Sequence, residues 1–287
     1  MIDYGGVQVK KFLIIILTIM TISTVIGGNY HWNQKVSAVQ GKGNVTEEKS
    51  DEDSVERKRS IEGKKGEADP VKGKLVMLDK VNFLPKDLQP TFQKAIEERR
   101  PVHLMIIGSS STPQKDGAWP QLLERKLLDI YGDSLIHVTI KEIRGKTSQQ
   151  VVEENIHKEL VKMKPDILLL EPFLLYDNGE IKMSERLKNI SKIIKSFKKE
   201  NQNQIILIQP ANPIYGATYY PQEKNDLKRY AEQNNFIYLN HWEAWPDYSK
   251  REIEDYLTEG NIPNEKGNET WAEYLQEYFV NDGEKEQ

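Results

Sequence analysis

A serine-rich stretch, Ser109 to Thr112, directly follows an apolar run that is typical of a buried strand. A serine at the end of a strand can act as a nucleophile when a base lies within reach of its hydroxyl. The same residue types also form turns and helix caps, so a purely structural role is the alternative. The residues that surround this stretch in the fold decide between the two.

Five short apolar segments alternate with amphipathic helical patterns over most of the chain. Continuous apolar runs are typical of parallel strands buried on both faces, and strand–helix alternation predicts right-handed crossovers. The sequence therefore predicts the α/β class: a three-layer α/β/α sandwich with a five-stranded parallel sheet of flavodoxin-like type. The predicted strands are 102–107, 135–140, 166–170, 204–208 and 236–239, and the predicted helices are 118–131, 148–163, 184–201, 221–234 and 265–279.

Sites in such sheets form at the carboxyl ends of the strands, so the residues just after each strand matter most. The serine cluster follows the first strand and a glycine, Gly145, follows the second. Asn178 follows the third strand and His241 follows the fifth. A serine, a glycine turn, an amide and an imidazole at one edge are the parts of a serine esterase: nucleophile, oxyanion donors and base.

From residue 102 to residue 279 the pattern resembles the SGNH, or GDSL-like, hydrolase superfamily. The block Gly108-Ser109-Ser110 resembles the family's first motif, which implies that Ser110 is the nucleophile. The stretch "RGKTSQQVV" resembles the second motif and implies that Gly145 lines the oxyanion hole with the backbone of Ser110. In the third motif, "EPFLLYDNG", Tyr176 holds the usual asparagine position and Asn178 is the nearest substitute.

The family's last motif, an Asp-x-x-His ahead of Pro-Asn and a helix, is only partly present. Pro263 and Asn264 match its flank, Glu259 takes the aspartate position as a possible orienting acid, and Ile262 stands where the histidine belongs. Among the five histidines, His241 alone follows a strand at the expected edge. It is therefore the candidate base, and the alternative is a histidine hydrogen-bonded within its own loop.

Composition excludes several classes of function. A formal net charge of −4 and a pI near 5.9 argue against nucleic-acid binding, where a basic face supplies most of the affinity. The absence of cysteine excludes disulfides, thiolate zinc sites and a cysteine nucleophile. No cluster has metal-ligand spacing, and no cofactor is expected. A weaker alternative is a flavodoxin-like flavin binder with the serine loop around the phosphate, which would be yellow.

The first 32 residues have the layout of a signal anchor. Lys10 and Lys11 precede an apolar run from Phe12 to Gly28, which predicts an uncleaved transmembrane anchor or, alternatively, a cleaved signal peptide. The charged segment 33–73 is too polar to bury a core and predicts a disordered linker. It is followed by a predicted domain, 74–281, and a polar tail, 282–287.

Together these features predict a membrane-tethered, extracytoplasmic serine hydrolase that acts on ester bonds, such as O-acetyl esters of envelope glycans or lipid or small esters. The alternative is a degenerate, non-catalytic domain of the same type that binds a glycan or a partner protein at the cell surface. An aromatic cluster near the predicted edge packs the loops or offers a surface for sugar stacking. Its members are Tyr215, Tyr219, Tyr220, Trp242 and Trp245.

Overall fold

The computed structural model describes residues 70–280. The predicted anchor, nearly all of the predicted linker and the predicted polar tail lie outside the described residues. Within the described range, no helix combines the length and apolarity needed to cross a bilayer. The first helix, α1 (Pro70–Val81), begins inside the range predicted as linker.

The sheet has five parallel strands in the order β2-β1-β3-β4-β5, which confirms the predicted fold class. Because β1 comes first in sequence among the five described strands yet lies inside the sheet, the strand order reverses between β1 and β3. The serine-rich loop follows β1 and the segment that carries the site tyrosine follows β3, so both leave the sheet at this reversal. The strands are β1 (Val102–Gly108), β2 (Ile136–Glu142), β3 (Ile167–Leu170), β4 (Ile205–Ile208) and β5 (Ile237–Tyr238).

Helices join consecutive strands, and the last helix follows β5 after two short 3-10 helices. Those are His241–Ala244 and Arg251–Tyr256. After α1 the α-helices are α2 (Gln89–Glu97), α3 (Trp119–Tyr131), α4 (Ser148–Glu153), α5 (Ile156–Val161), α6 (Leu174–Asp177), α7 (Met183–Glu200), α8 (Tyr220–Gln233) and α9 (Glu265–Phe279).

One predicted helix is divided in the structure. The sequence predicts a single helix over 148–163, whereas α4 ends at Glu153 and α5 begins at Ile156. Asn155 between them has φ 58°, in the left-handed region that a continuing right-handed helix does not visit. Asparagine tolerates this conformation better than most residues, which explains why the break falls here.

Two apolar cores, one on each face of the sheet, make the three layers. Leu104 and Ile106 of β1 point into a core shared with α2, α3 and α9. Met105 and Ile107 point into the opposite core, shared with α4, α7 and α8. Strand β1 is thus apolar on both faces, as its continuous apolar run predicts.

The last helix, α9, is fastened to α3 by aromatic and polar contacts. The indole rings of Trp119 and Trp271 stack with centroids 4.7 Å apart, and the Trp119 amide donates to Asn268 Oδ1 at 2.9 Å. At the far end of the same pair of helices, the Tyr131 hydroxyl donates to the carbonyl of Phe279 at 2.7 Å. These contacts join α9 to α3, the helix that follows the loop after β1.

Candidate active site

Only one hydroxyl of the Ser109–Thr112 loop is free to face a substrate. Ser109 is buried, and both its amide and its hydroxyl donate to Glu171 Oε2 at 2.7 Å. Thr112 is also buried and donates to the same oxygen at 3.2 Å. Ser111 is buried, and its carbonyl accepts from the Trp119 indole at 2.8 Å. Ser110 alone is partly exposed. The loop is therefore a structural turn that also presents one hydroxyl to the solvent.

The Ser110 hydroxyl is hydrogen-bonded to a phenol. Ser110 Oγ lies 2.8 Å from the hydroxyl of Tyr176, a residue 66 positions further along the chain. Tyr176 belongs to α6, which follows β3, and Ser110 follows β1, which is the neighbouring strand. The pair therefore forms at the carboxyl edge of the sheet, where the strand order reverses and where sites of this fold class are expected.

A cavity of about 980 Å³ opens over this pair. Its walls come from the loop after β1, the residues after β2, α6 and the segment before α9. The volume is large enough for a small organic substrate, since ligand pockets commonly measure about 300–1,000 Å³. Its lining includes Ser110, Tyr176, Glu142, Arg144, Thr258, Ile262 and Asn264.

Tyr176 is held by the residue that follows it. Asp177 is buried, and its carboxylate accepts from the amide of Ser148 at the start of α4, at 2.7 Å. The Asp177 carbonyl accepts from Arg186 at 2.8 Å, and the same guanidinium pairs with Glu223 at 2.7 Å. The phenol that meets Ser110 is therefore carried by a short helix that is fixed to both α4 and α7.

Arg144 brings a positive charge to the same cavity. Its guanidinium makes two hydrogen bonds to the Glu142 carboxylate, at 2.7 and 3.1 Å. Those bonds are the main cause of a raised Arg144 pKa, and the nearby Tyr176 adds to it. The Arg144–Glu142 ion pair therefore lies at the wall of the cavity that Tyr176 also lines.

Glu171 lies beneath the serine loop as a fully buried carboxyl group. Burial raises its pKa from an ordinary 4.5 to about 7, although hydrogen bonds from Ser109 and Thr112 oppose the shift. Its second oxygen, Oε1, has no hydrogen-bond partner among the described residues. A carboxyl group with a raised pKa favours the folded state at low pH, because the folded chain then holds a proton that the unfolded chain releases.

Replacing Glu171 with glutamine should flatten the pH dependence of stability. In the parent, the free energy of unfolding should fall as the pH rises from about 4.5 to about 7, by on the order of 3 kcal/mol from this group. The amide carries no charge at any of these pH values, so this contribution disappears. Urea unfolding at pH 5, 6, 7 and 8 measures it. Glu180→Gln, at an exposed carboxylate, is the control, and an unchanged slope in Glu171→Gln would contradict the assignment.

His241 is not placed to act as a base. Nε2 lies 2.9 Å from the Pro210 carbonyl, and Nδ1 accepts from the Trp245 indole at 3.0 Å. The ring is fully buried and stacks on Trp271 with centroids 3.9 Å apart. Burial lowers its pKa to about 3, so the imidazole is neutral and both nitrogens are engaged. This geometry does not support the expectation that His241 serves Ser110, because one ring nitrogen is bonded to the loop after β4 and the other to Trp245 in the loop of His241 itself.

The remaining predicted site residues lie at different distances from the cavity. Gly145 turns the chain after β2 with φ 66°, next to the cavity-lining Arg144. Asn178 and Glu259 are exposed, and neither is among the residues that line the cavity. Ile262 does line it, with 42 % of its surface exposed. Tyr176 and Ile262, which hold the asparagine and histidine positions of the resemblance in the sequence, thus both line the cavity.

The aromatic cluster divides into two parts. Tyr220, Trp242 and Trp245 are buried and pack the loops. Tyr219 is 74 % exposed and Tyr215 is 37 % exposed. Of these two, Tyr215 has the guanidinium of Arg251 over its ring, 5.8 Å from the ring centroid.

Sequence reasoning missed the roles of Tyr176, Arg144 and Glu171. The role of Glu171 could have been predicted, since a carboxylate directly after a buried strand needs hydrogen-bond partners at the strand end. The sequence indicates the role of Tyr176 less clearly, although the resemblance places it at the position of a side-chain donor. Within residues 70–280, no group of three or more histidine, aspartate or glutamate side chains is placed to hold a metal ion.

Comparisons with known proteins identify the fold. No protein-family model matches the sequence, and no curated protein matches it. Solved structures do match. A protein described as lipolytic and of the G-D-S-L family, from Desulfitobacterium hafniense, superposes with a TM-score of 0.51 at 19% identity, over 62% of this chain and 99% of that one.

A carbohydrate esterase of family 3 from Talaromyces cellulolyticus superposes with a TM-score of 0.51 at 14% identity, over 61% of this chain and 94% of that one. An alpha/beta hydrolase enzyme from the metagenome of Lake Arreo gives the same four values. The chain therefore has an SGNH/GDSL hydrolase-like fold, and the predicted resemblance is confirmed at the level of the fold.

Proposed function

We propose that this protein is a serine hydrolase of ester bonds in which Ser110 is the nucleophile and Tyr176 is its proton acceptor. The observation that carries the proposal is the 2.8 Å contact between the two hydroxyls at the floor of an open cavity. Tyrosine is among the side chains that act as general bases when they are correctly positioned. The fold, which the chain shares with esterases and lipases, supports the same reaction class.

In the proposed reaction, Ser110 Oγ bonds to the ester carbonyl carbon while its proton passes to the ionised oxygen of Tyr176. The tetrahedral oxyanion accepts hydrogen bonds from the backbone amides of Ser110 and Gly145. When the carbon–oxygen ester bond breaks, the leaving alcohol takes the proton back from Tyr176. Water then attacks the carbonyl carbon of the acyl-serine and gives a proton to Tyr176. The serine oxygen takes that proton back as its bond to the acyl group breaks and the acid is released.

Removing either hydroxyl should lower ester hydrolysis sharply. Ser110→Ala should reduce hydrolysis of p-nitrophenyl acetate by the full-length protein to the uncatalysed rate, because no other hydroxyl of the loop is accessible. Tyr176→Phe keeps the ring and removes only the proton acceptor, so we expect a loss of about 100-fold.

Tyr215→Phe, which removes an exposed phenol that does not line the cavity, should leave the rate unchanged. A fluorophosphonate probe should label the parent at Ser110 and should fail to label Ser110→Ala. Unchanged hydrolysis in Ser110→Ala would refute the proposal. Full activity in Tyr176→Phe would remove Tyr176 from it and leave Ser110 without an identified base.

We also propose that the substrate is an ester of the cell envelope and that the domain works outside the membrane on its anchor. The support is the sequence of residues 1–73, with a basic flank, an apolar run and a long charged spacer. An O-acetyl ester of a polysaccharide fits an open cavity, and one of the matched structures is named as a carbohydrate esterase. Membrane fractionation of the full chain, against a chain that lacks residues 1–32, tests the location.

A second candidate function is binding without turnover. The observation that favours it is the composition of the cavity wall, where Ile262 stands in place of an imidazole and no histidine is among the described lining residues. This candidate predicts that acetylated glycan fragments bind equally well to the parent and to Ser110→Ala. It also predicts that the parent neither hydrolyses simple esters nor reacts with the fluorophosphonate probe.

A further inference from the structure

Two histidines meet on neighbouring strands at the opposite end of the sheet from Ser110. His103 of β1 and His137 of β2 are direct partners in the strand register. Their ring centroids are 5.1 Å apart at an interplanar angle of 45°. His103 is the second residue of β1, and Ser110 lies seven residues further on, so about 20 Å of extended chain separates this pair from the candidate active site.

The Nε2 atoms of both rings face the hydroxyl of Thr139. His103 Nε2 lies 2.9 Å from Thr139 Oγ1, and His137 Nε2 lies 3.5 Å from that oxygen. The hydroxyl has a single hydrogen and so can donate to only one of the two nitrogens. Two imidazole nitrogens and a hydroxyl oxygen therefore converge on one small region at the sheet surface.

The surroundings suit a cation. His103 also makes a hydrogen bond with the backbone of Met163, and its Nε2 lies 2.9 Å from Thr139 Oγ1. Metal-binding histidines characteristically have such a second partner, which fixes the tautomer and the ring orientation. Glu124 is close enough to His137 for their charges to interact, and its charge is negative. Asp166 also interacts with His103, but its carboxylate accepts from the Arg100 guanidinium at 2.7 and 3.0 Å, which balances its negative charge.

The two rings are accessible from solvent. His103 is half-buried and His137 is exposed, so a hydrated ion can approach from solvent and keep water in its remaining positions.

We propose that His103 and His137 form a surface site for a divalent transition-metal ion of the zinc and copper class. Imidazole suits these ions, whereas magnesium and calcium prefer oxygen ligands. The two Nε2 atoms are the protein ligands, the Thr139 hydroxyl lies beside them, and water completes the coordination. The site is independent of ester hydrolysis, since it lies at the other end of the sheet.

Calorimetric titration of the full-length protein with zinc chloride, and separately with copper(II) chloride, tests the site at pH 7.5. We expect one ion per chain, with tighter binding of copper than of zinc, as the usual order of affinities requires. His137→Gln and His103→Gln should each weaken binding at least about tenfold. Lys141→Gln, two residues beyond Thr139 on β2, is the matched control and should bind as the parent does.

Further measurements separate this site from adventitious binding elsewhere. The electron paramagnetic resonance spectrum of the copper-loaded parent should show coupling to two nitrogens. The spectrum of His137→Gln should no longer show the coupling to the second nitrogen. Ester hydrolysis should be the same in His137→Gln as in the parent. Equal affinity in the parent and His137→Gln, or no saturable binding below about 1 mM metal, would overturn the proposal.

Discussion

Replacing Ile262 with histidine should raise the rate of ester hydrolysis by about 100-fold or more over the parent. Ile262 lines the same cavity as Ser110 and is 42 % exposed, so an imidazole at this position has both access to the cavity and space. Thr258 and Ile262 are joined by a backbone hydrogen bond of 2.8 Å, which fixes the loop that carries the new side chain. A general base placed near a nucleophile typically contributes about 10²–10⁴ in rate.

The pH profile identifies the new base. Hydrolysis by Ile262→His should rise with a midpoint near pH 6.5, the ordinary range for imidazole, and this midpoint should be absent from the profile of the parent. Ile262→Gln is the matched control, because it is polar and of similar length but has no basic nitrogen. Ser110→Ala in the Ile262→His background should be inactive. A rate in Ile262→His no higher than in Ile262→Gln would show that Ile262 and Ser110 do not face one another productively.

Replacing Gly108 with alanine should destabilise the protein by about 3 kcal/mol. A Cβ atom on Gly108 would lie 2.6 Å from Thr112 Cβ and 2.7 Å from Glu171 Oε2. Neither neighbour can move freely, because Thr112 is bonded to Glu171 and the carboxyl group also holds Ser109. In a domain of this size the loss corresponds to a melting temperature lower by about 6 to 12 °C.

Gly73→Ala is the control for that prediction. No atom lies within 4 Å of a Cβ built on Gly73, which is exposed within α1. Alanine there should leave stability unchanged or raise it by up to about 1 kcal/mol, because it forms helix more readily than glycine. Thermal unfolding by circular dichroism compares the two variants. A Gly108→Ala protein as stable as the parent would show that the serine loop has room that the structure does not indicate.

The fold could be predicted because its strands are apolar on both faces. All five predicted strands overlap observed ones, and the predicted final helix, 265–279, has the observed bounds of α9. Helices α1 and α2 were not predicted, since they lie between a charged segment and the first strand. Leu75 and Val76 of α1 remain about half exposed, so the helix has no continuous buried face that would produce a clear pattern.

The candidate site could be predicted only in part. Ser110 directly follows the segment predicted as β1, so its place at the carboxyl edge of the sheet could be predicted from the sequence. His241 also follows a strand, but sequence order does not say which way its ring turns. The ring turns inward onto Trp271 because both of its nitrogens find partners there, the Pro210 carbonyl and the Trp245 indole. The Tyr176 contact depends on two loops meeting in space, which spacing along the chain does not encode.

The contacts between α9 and α3 also determine when the protein can finish folding during its synthesis. Trp119 and Asn268 are bonded across 149 positions, and Trp271 stacks on Trp119 from the same helix. The ribosome therefore has to release α9 before the Trp119 side of the first core can be covered. Until that helix has emerged, the core face between α3 and β1 remains open to solvent.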